Sequence, residues 1–195
     1  MTAHLRPACL MILTFTLLFG LAFPLGFVGL GALVMPGPAE GSLVSVAGRP
    51  VGSTLIGQDV TGPGFFHTRP SAITGTDPKD PSKTVPTPYD ASTSSASNLA
   101  PSSKALLDRV RADLPGAGGP GAAVDAVTSS GSGLDPDISP ANARRQGGRI
   151  AAARHVSGER LEALIAAQTV PRALGLFGEP HLDVLRLNLA LQSLR

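Results

Sequence analysis

Between Pro7 and Ala39 the chain carries no charged side chain. That stretch decides more about the molecule than anything else in its 195 residues. Leu10 to Met35 is almost wholly Leu, Phe, Gly, Val, Ile and Ala. As a helix this run reaches about 39 Å at roughly 1.5 Å per residue, against about 30 Å of hydrocarbon to be crossed. A secretory signal has a shorter apolar region of about 7–15 residues, so the run reads as a retained membrane span. Cys9 precedes the run, whereas a lipoprotein cysteine would follow it, and one cysteine excludes an internal disulfide framework.

Flanking charge sets the orientation. His4, Arg6 and the terminal amine precede the run, and the first charge beyond it is Glu40. Positive charge stays inside. The expected organisation is therefore a cytoplasmic N-terminus (1–9), a transmembrane helix (10–35) and an extracytoplasmic domain (36–195). Pro24 lies mid-span, where neighbouring helices can satisfy the carbonyl it frees. Gly20, Gly26, Gly29 and Gly31, with Thr14 and Thr16, offer small surfaces for close helix approach.

Beyond residue 35 the pattern mixes strand and helix. Leu43–Val46 reads as a strand and 48–50 as a turn. At Phe65 and Phe66, consecutive side chains on extended backbone face opposite ways. One is expected in the core and the other against a partner or the membrane surface. Residues 73–103, rich in Ser, Thr, Pro and Asp, read as a long loop. Ser102 or Ser103 caps a helix bearing Leu106, Leu107, Val110 and Leu114. The 123–128 stretch alternates like a short strand. Ser139 and Pro140 start a helix that reaches Arg154, and another follows Ser157. Residues 181–187 read as a strand, with Asn188 capping a short closing helix. The fold class is α+β, a single N-terminal transmembrane helix followed by one mixed domain.

Catalytic signatures are missing. There is no phosphate-binding P-loop and no G-x-S-x-G elbow. His67, His155 and His181 lack metal-site spacing. Asp135 and Asp137 flank Pro136, which reads as a solvated turn in preference to a calcium loop. The 131–137 turn offers backbone amides to an anion, but no basic residue lies within it. Basic residues are scattered. The tightest group, Arg144, Arg145, Arg149 and Arg154, reads as a solvated helix face and not as a nucleic-acid surface. An accessory or structural role is favoured over a lone enzyme.

Six blocks then carry a resemblance: "GLAFPL" (20–25), "GSLV" (41–44), "GQDVTGPGFFHTRPSA" (57–72), "SNLAPSS" (97–103), "VTSSGSGLDPDISP" (127–140) and "LNLAL" (187–191). In this order they resemble the KdpC family, the C subunits of Kdp-type potassium-transporting ATPases. The resemblance implies a bacterial inner-membrane subunit with one span and a periplasmic domain. Implied partners are a potassium channel-like subunit, a P-type ATPase subunit, a small single-span subunit and membrane lipid, with no nucleic acid. It further implies an assembly factor and catalytic chaperone that raises the ATP affinity of the pump subunit. ATP would be shared with that subunit, and Gln146 takes a nucleotide-related role. Potassium is carried by the complex and not bound by this chain. Two departures stand out: the family's "QVPR" is "QGGR" here (146–149), and "STSSA" (92–96) replaces a glycine pair. An outward-facing domain also sits awkwardly with cytoplasmic ATP. The remaining alternatives are a membrane-anchored periplasmic module binding a small anion at 129–140, and an exported hydrolase using Ser and Asp of that same turn, with Ser132 as the position to test.

Overall fold

The computed structural model describes residues 4–194 and divides into two units, Met1–Val51 and Gly52–Arg195. In the first, helix α1 (Leu5–Leu17), a π-helical turn (Leu18–Ala22) and helix α2 (Phe23–Val34) run on without a break. The 30-residue rod holds an 18-residue stretch of mean hydropathy 2.2 and is long and apolar enough to cross a membrane. It begins at Leu5, ahead of the apolar run, and spans about 45 Å.

The π turn has a clear cause. Pro24 has no N–H, and its ring would strike the carbonyl of Gly20 in a regular α-helix. Widening the preceding turn relieves this, and the Phe23 N–H bonds to the Leu18 carbonyl five residues back. Phe15, Phe19, Phe23 and Phe27 form a ladder along the rod, with ring centroids 5.6, 6.3 and 4.5 Å apart. A short helix α3 (Pro36–Ala39) follows, then strands β1 (Leu43–Val46) and β2 (Arg49–Ser53) pair as a hairpin. Its turn is Ala47–Gly48, at φ of 50° and 76°. It therefore falls one residue earlier than the 48–50 read from sequence, and Arg49 and Pro50 belong to the strand.

The second unit is built on three helices: α5 (Pro140–Arg154), α6 (Gly158–Gln168) and α7 (Val184–Ser193). Each has a side-chain cap. Ser139 Oγ accepts from the Asn142 N–H, Ser157 Oγ from Arg160, and the Asp183 carboxylate from Arg186. His155 closes α5 in the left-handed conformation. Strands β5 (Asp137–Ile138) and β6 (Leu182–Asp183) pair antiparallel beside them. Phe66, Ile138, Ala143, Ile150, Leu161, Ile165, Leu182, Val184, Leu187 and Leu191 make one core. The two glycines of "QGGR" lie inside α5, which continues through them.

Five expectations are corrected. The strand read over 181–187 ends at Asp183, because Val184, Leu187, Asn188 and Leu191 recur with the helical period and are all buried. Asn188 therefore lies inside α7, and Asp183 is its cap. The 123–128 stretch is a 3₁₀ turn (Val124–Ala126), not a strand. Its Asp125 carboxylate receives the Ser139 N–H and Oγ at 2.8 and 2.9 Å and the Asn142 amide at 3.0 Å. The 73–103 region contains a hairpin, β3 (Thr74–Thr76) with β4 (Thr84–Pro86). Helix α4 (Lys104–Asp113) follows Ser103, with Leu107 exposed rather than on the packed face.

Candidate functional site

The longest block of the sequence pattern is a strap of irregular chain, 62–68, fastened to α5 and α7. Phe66 is fully buried. Its N–H donates to Asn188 Oδ1 at 2.8 Å, and its carbonyl accepts from Asn188 Nδ2 at 2.9 Å. The next residue is held in the same way. The His67 N–H donates to Gln146 Oε1 at 2.7 Å, and the His67 carbonyl accepts from Gln146 Nε2 at 3.0 Å. Two carboxamides on two helices thus satisfy four backbone groups of one extended segment, as a neighbouring strand would.

Arginines complete the fastening. Arg149 donates to the carbonyls of Gly62, Pro63 and Phe65 at 3.1, 2.7 and 3.0 Å. Burial holds its guanidinium below the ordinary arginine value. Arg154 donates to the Gly64 carbonyl at 2.6 Å and lies over the Phe65 ring, 4.8 Å from its centroid. Phe65, expected against a partner or lipid, is therefore covered by Arg154. The four arginines are not a plainly solvated face either. Arg144 pairs with Glu162 at 2.6 Å and Arg145 reaches the Gly118 carbonyl at 2.9 Å.

Gln146 lines a cleft of about 830 Å³ together with Tyr89, Arg109, Arg145 and Arg149. Its carboxamide is fully engaged. Oε1 accepts from His67 and, at 2.9 Å, from Arg149, while Nε2 donates to His67 and, at 3.0 Å, to Asn142 Oδ1. A glutamine amide has two donors and two acceptor lone pairs, so a nucleotide contact would have to displace one of these bonds.

The 129–137 turn borders a second cavity of about 500 Å³. Its amides are used internally: Gly133 N–H to Ser130 Oγ at 2.8 Å, Leu134 N–H to Ser132 Oγ at 3.1 Å, and Asp137 N–H to Asp135 Oδ1 at 3.0 Å. Asp135 Oδ2 pairs with Arg69 at 2.8 Å. Ser132 Oγ meets the Leu134 N–H and Ser130 Oγ, neither of which is a base of the kind that activates a nucleophilic serine. The turn works as a structural junction, with the Gly57 N–H on the Leu134 carbonyl at 2.8 Å and the Ser95 N–H on the Ser132 carbonyl at 2.9 Å. Burial raises the Tyr89 hydroxyl above its ordinary value, and that hydroxyl donates to the Arg69 carbonyl at 2.8 Å.

Asp137 and Asp183 face each other across β5 and β6. Burial raises both carboxyls above the ordinary value of 3.8. His181, 3.9 Å from Asp137, pulls the other way, and each neighbouring carboxylate adds to the rise at Asp137. Such groups bind protons more readily in the folded chain. Their contribution to stability is greatest at low pH and is lost as pH rises from 3.8 through the raised native values. Asp137→Asn is thus expected to raise the melting temperature at pH 7 and to give no gain well below pH 3.8. Melting curves at several pH values check this.

With this geometry in view, comparison with known proteins is decisive. The family described as "K+-transporting ATPase, c chain" matches residues 5–193. A Methylobacterium nodulans protein named potassium-transporting ATPase KdpC subunit is 56% identical over 201 residues, covering 100% of this chain and 98% of the relative. The chain belongs to the KdpC family. Proteins with the same name from Rhodopseudomonas palustris and Methylorubrum extorquens are each 50% identical. They cover 99% and 100% of this chain, and 99% and 98% of their own lengths. The KdpC-like blocks at 57–72, 127–140 and 187–191 coincide with the strap, the turn junction and the α7 segment containing Asn188.

Proposed function

We propose that this chain is the accessory C-type subunit of a high-affinity, ATP-driven potassium-uptake complex. The observation that carries the reading is the end-to-end match to the KdpC family, residues 5–193, on a chain whose described residues hold one membrane-length apolar rod, Leu5–Val34. The rod anchors the subunit in the bacterial inner membrane, with the N-terminus cytoplasmic and the unit from Gly52 outside. The partners are a channel-like subunit, a P-type ATPase subunit and a small single-span subunit, with lipid around the rod. Potassium is the cargo of the complex. The folded unit caps the channel-like subunit near the potassium entrance and assists assembly. Potassium-limited growth tests the reading. A strain whose only uptake complex lacks this chain should fail to grow and recover with a full-length copy; undiminished growth without the chain would overturn it.

The chaperone effect on ATP affinity is proposed to act through assembly rather than through a nucleotide at Gln146. Support comes from the fully engaged carboxamide and from the separation of an outward domain from cytoplasmic ATP. Gln146→Ala removes four hydrogen bonds around the strap. It should cost about 2–3 kcal/mol of stability, since partly buried donors and acceptors lose their partners. The complex that still assembles should keep its KM for ATP. A raised KM with unchanged stability would instead place the nucleotide at Gln146.

A further inference from the structure

Guanidiniums from three parts of the chain line the cleft of about 830 Å³: Arg69 just past the strap, Arg109 on α4, and Arg145 and Arg149 on α5. Two carboxylates, Asp59 and Asp113, line it with them. Arg69 is paired with Asp135, but no carboxylate pairs with Arg109, Arg145 or Arg149 among the described residues. The wall therefore keeps an excess of positive charge, and a concave wall of one sign concentrates counter-ions.

How firmly each guanidinium is held separates them. Arg149 is spent on the strap, with carbonyl bonds at 3.1, 2.7 and 3.0 Å. Arg69 and Arg109 instead meet at Ser129. Arg69 Nη2 donates to the Ser129 carbonyl and Arg109 Nη1 to the Ser129 hydroxyl, each at 3.4 Å. Both bonds are longer than the ordinary range of roughly 2.7–3.2 Å. The Nε–H of each is buried with no hydrogen-bond partner among the described residues. Buried orphan donors are rare in folded chains, and each calls for a reason. Here two sit in arginines that converge on one residue beside one cleft. Arg145 is exposed and holds the Gly118 carbonyl at 2.9 Å.

We infer that this cleft is an oxyanion site in which Arg69, Arg109 and Arg145 hold one phosphate group. A tetrahedral group accepts hydrogen bonds from several directions, whereas a carboxylate offers two oxygens in one plane. Donors arriving from three separate elements suit the tetrahedral group. The long Ser129 bonds are the ones exchanged for the anion, since they are the weakest that these guanidiniums make. Gln146 and Arg149 take no part, because their bonds fasten the strap. Asp59 and Asp113 oppose the anion without cancelling the arginines. The inference goes beyond the accessory-subunit reading and does not depend on it, because this chain supplies every donor.

Calorimetric titration of the full-length chain, in mild detergent and phosphate-free buffer, tests this with inorganic phosphate as the probe. Saturable one-to-one binding is expected, weakened about tenfold or more by Arg109→Gln, as for loss of a charge-assisted hydrogen-bond donor. Arg145→Gln, at an exposed position, should weaken binding without moving the melting temperature, which separates lost binding from lost folding. Arg144→Gln should leave binding unchanged, since neither Arg144 nor its partner Glu162 lines the cleft. Glycerol 3-phosphate distinguishes the sources. Binding at least as tight as that of inorganic phosphate identifies a lipid headgroup, and weaker or absent binding identifies the free ion. No saturable phosphate binding by the folded chain would overturn the inference. So would undiminished binding by Arg145→Gln or by folded Arg109→Gln, or binding of ATP without binding of inorganic phosphate. None of these results bears on potassium-limited growth, which tests the accessory reading separately.

Discussion

Gly133→Val should prevent the second unit from folding stably. Gly133 is buried at φ of 70°, and a Cβ there would lie 2.6 Å from Ile73 Cγ1 and 2.7 Å from the Ser95 carbonyl oxygen. Neither neighbour can yield cheaply. Ile73 is 1% exposed, and Ser95 is fixed by its N–H bond of 2.9 Å to the Ser132 carbonyl. Left-handed backbone costs a side chain about 1–2 kcal/mol, more when it is β-branched. Overpacking adds about 1–3 kcal/mol. The sum, about 2–5 kcal/mol, takes much of the stability of an ordinary domain, about 5–15 kcal/mol. Gly131→Ala is the control: it has open space around it and ordinary backbone, and should be near neutral. The chain has one Tyr and no Trp, so Tyr89 fluorescence reports this unit selectively. The valine variant should show the unfolded signal at temperatures where the alanine variant is native.

The second large effect concerns transport. A chain cut back to its first 35 residues keeps the rod Leu5–Val34 and loses every element from α3 onward. If the folded unit caps the channel-like subunit, potassium uptake or assembly should fall to the level of a strain lacking the chain, even though the rod still inserts. Uptake by the truncated strain equal to that of the intact one would rule out capping and leave the rod as the working part.

Much of this architecture can be read directly from residues. The charge-free run from Pro7 to Ala39 specifies the rod, and Ser139–Pro140 and Ser157 specify the starts of α5 and α6. Where reading fails, the reasons are local. Leu182 and Val184 alternate like a strand over a window too short to separate a period of two from one of 3.6. The burial of Val184, Leu187, Asn188 and Leu191 at helical spacing, with the cap at Asp183, settles it. The β3–β4 hairpin uses three-residue strands of Thr, Gly, Val and Pro, which carry little strand signal. The site is harder still. Gln146 enters the sequence reading only through the nucleotide-related role that the resemblance implies, and its grip on His67, 79 residues away in the chain, is not foreseen. Asn188 reads as a cap, yet it grips Phe66 across 122 residues. In both cases the partner is a main-chain amide, which leaves no mark in the sequence because every residue has one. Arg149 and Arg154 read as a solvated face and Asp125 escapes notice for a related reason, since they serve main-chain carbonyls, amides and a hydroxyl instead of opposite charges.

A C-type subunit of a potassium-transporting ATPase should travel with the rest of its complex. Affinity capture of the tagged full-length chain from native membranes in mild detergent tests it most directly. Co-recovery of a P-type ATPase subunit and a potassium channel-like subunit in fixed proportion to the bait is expected. A chain recovered by itself from membranes that contain both of those subunits would contradict it.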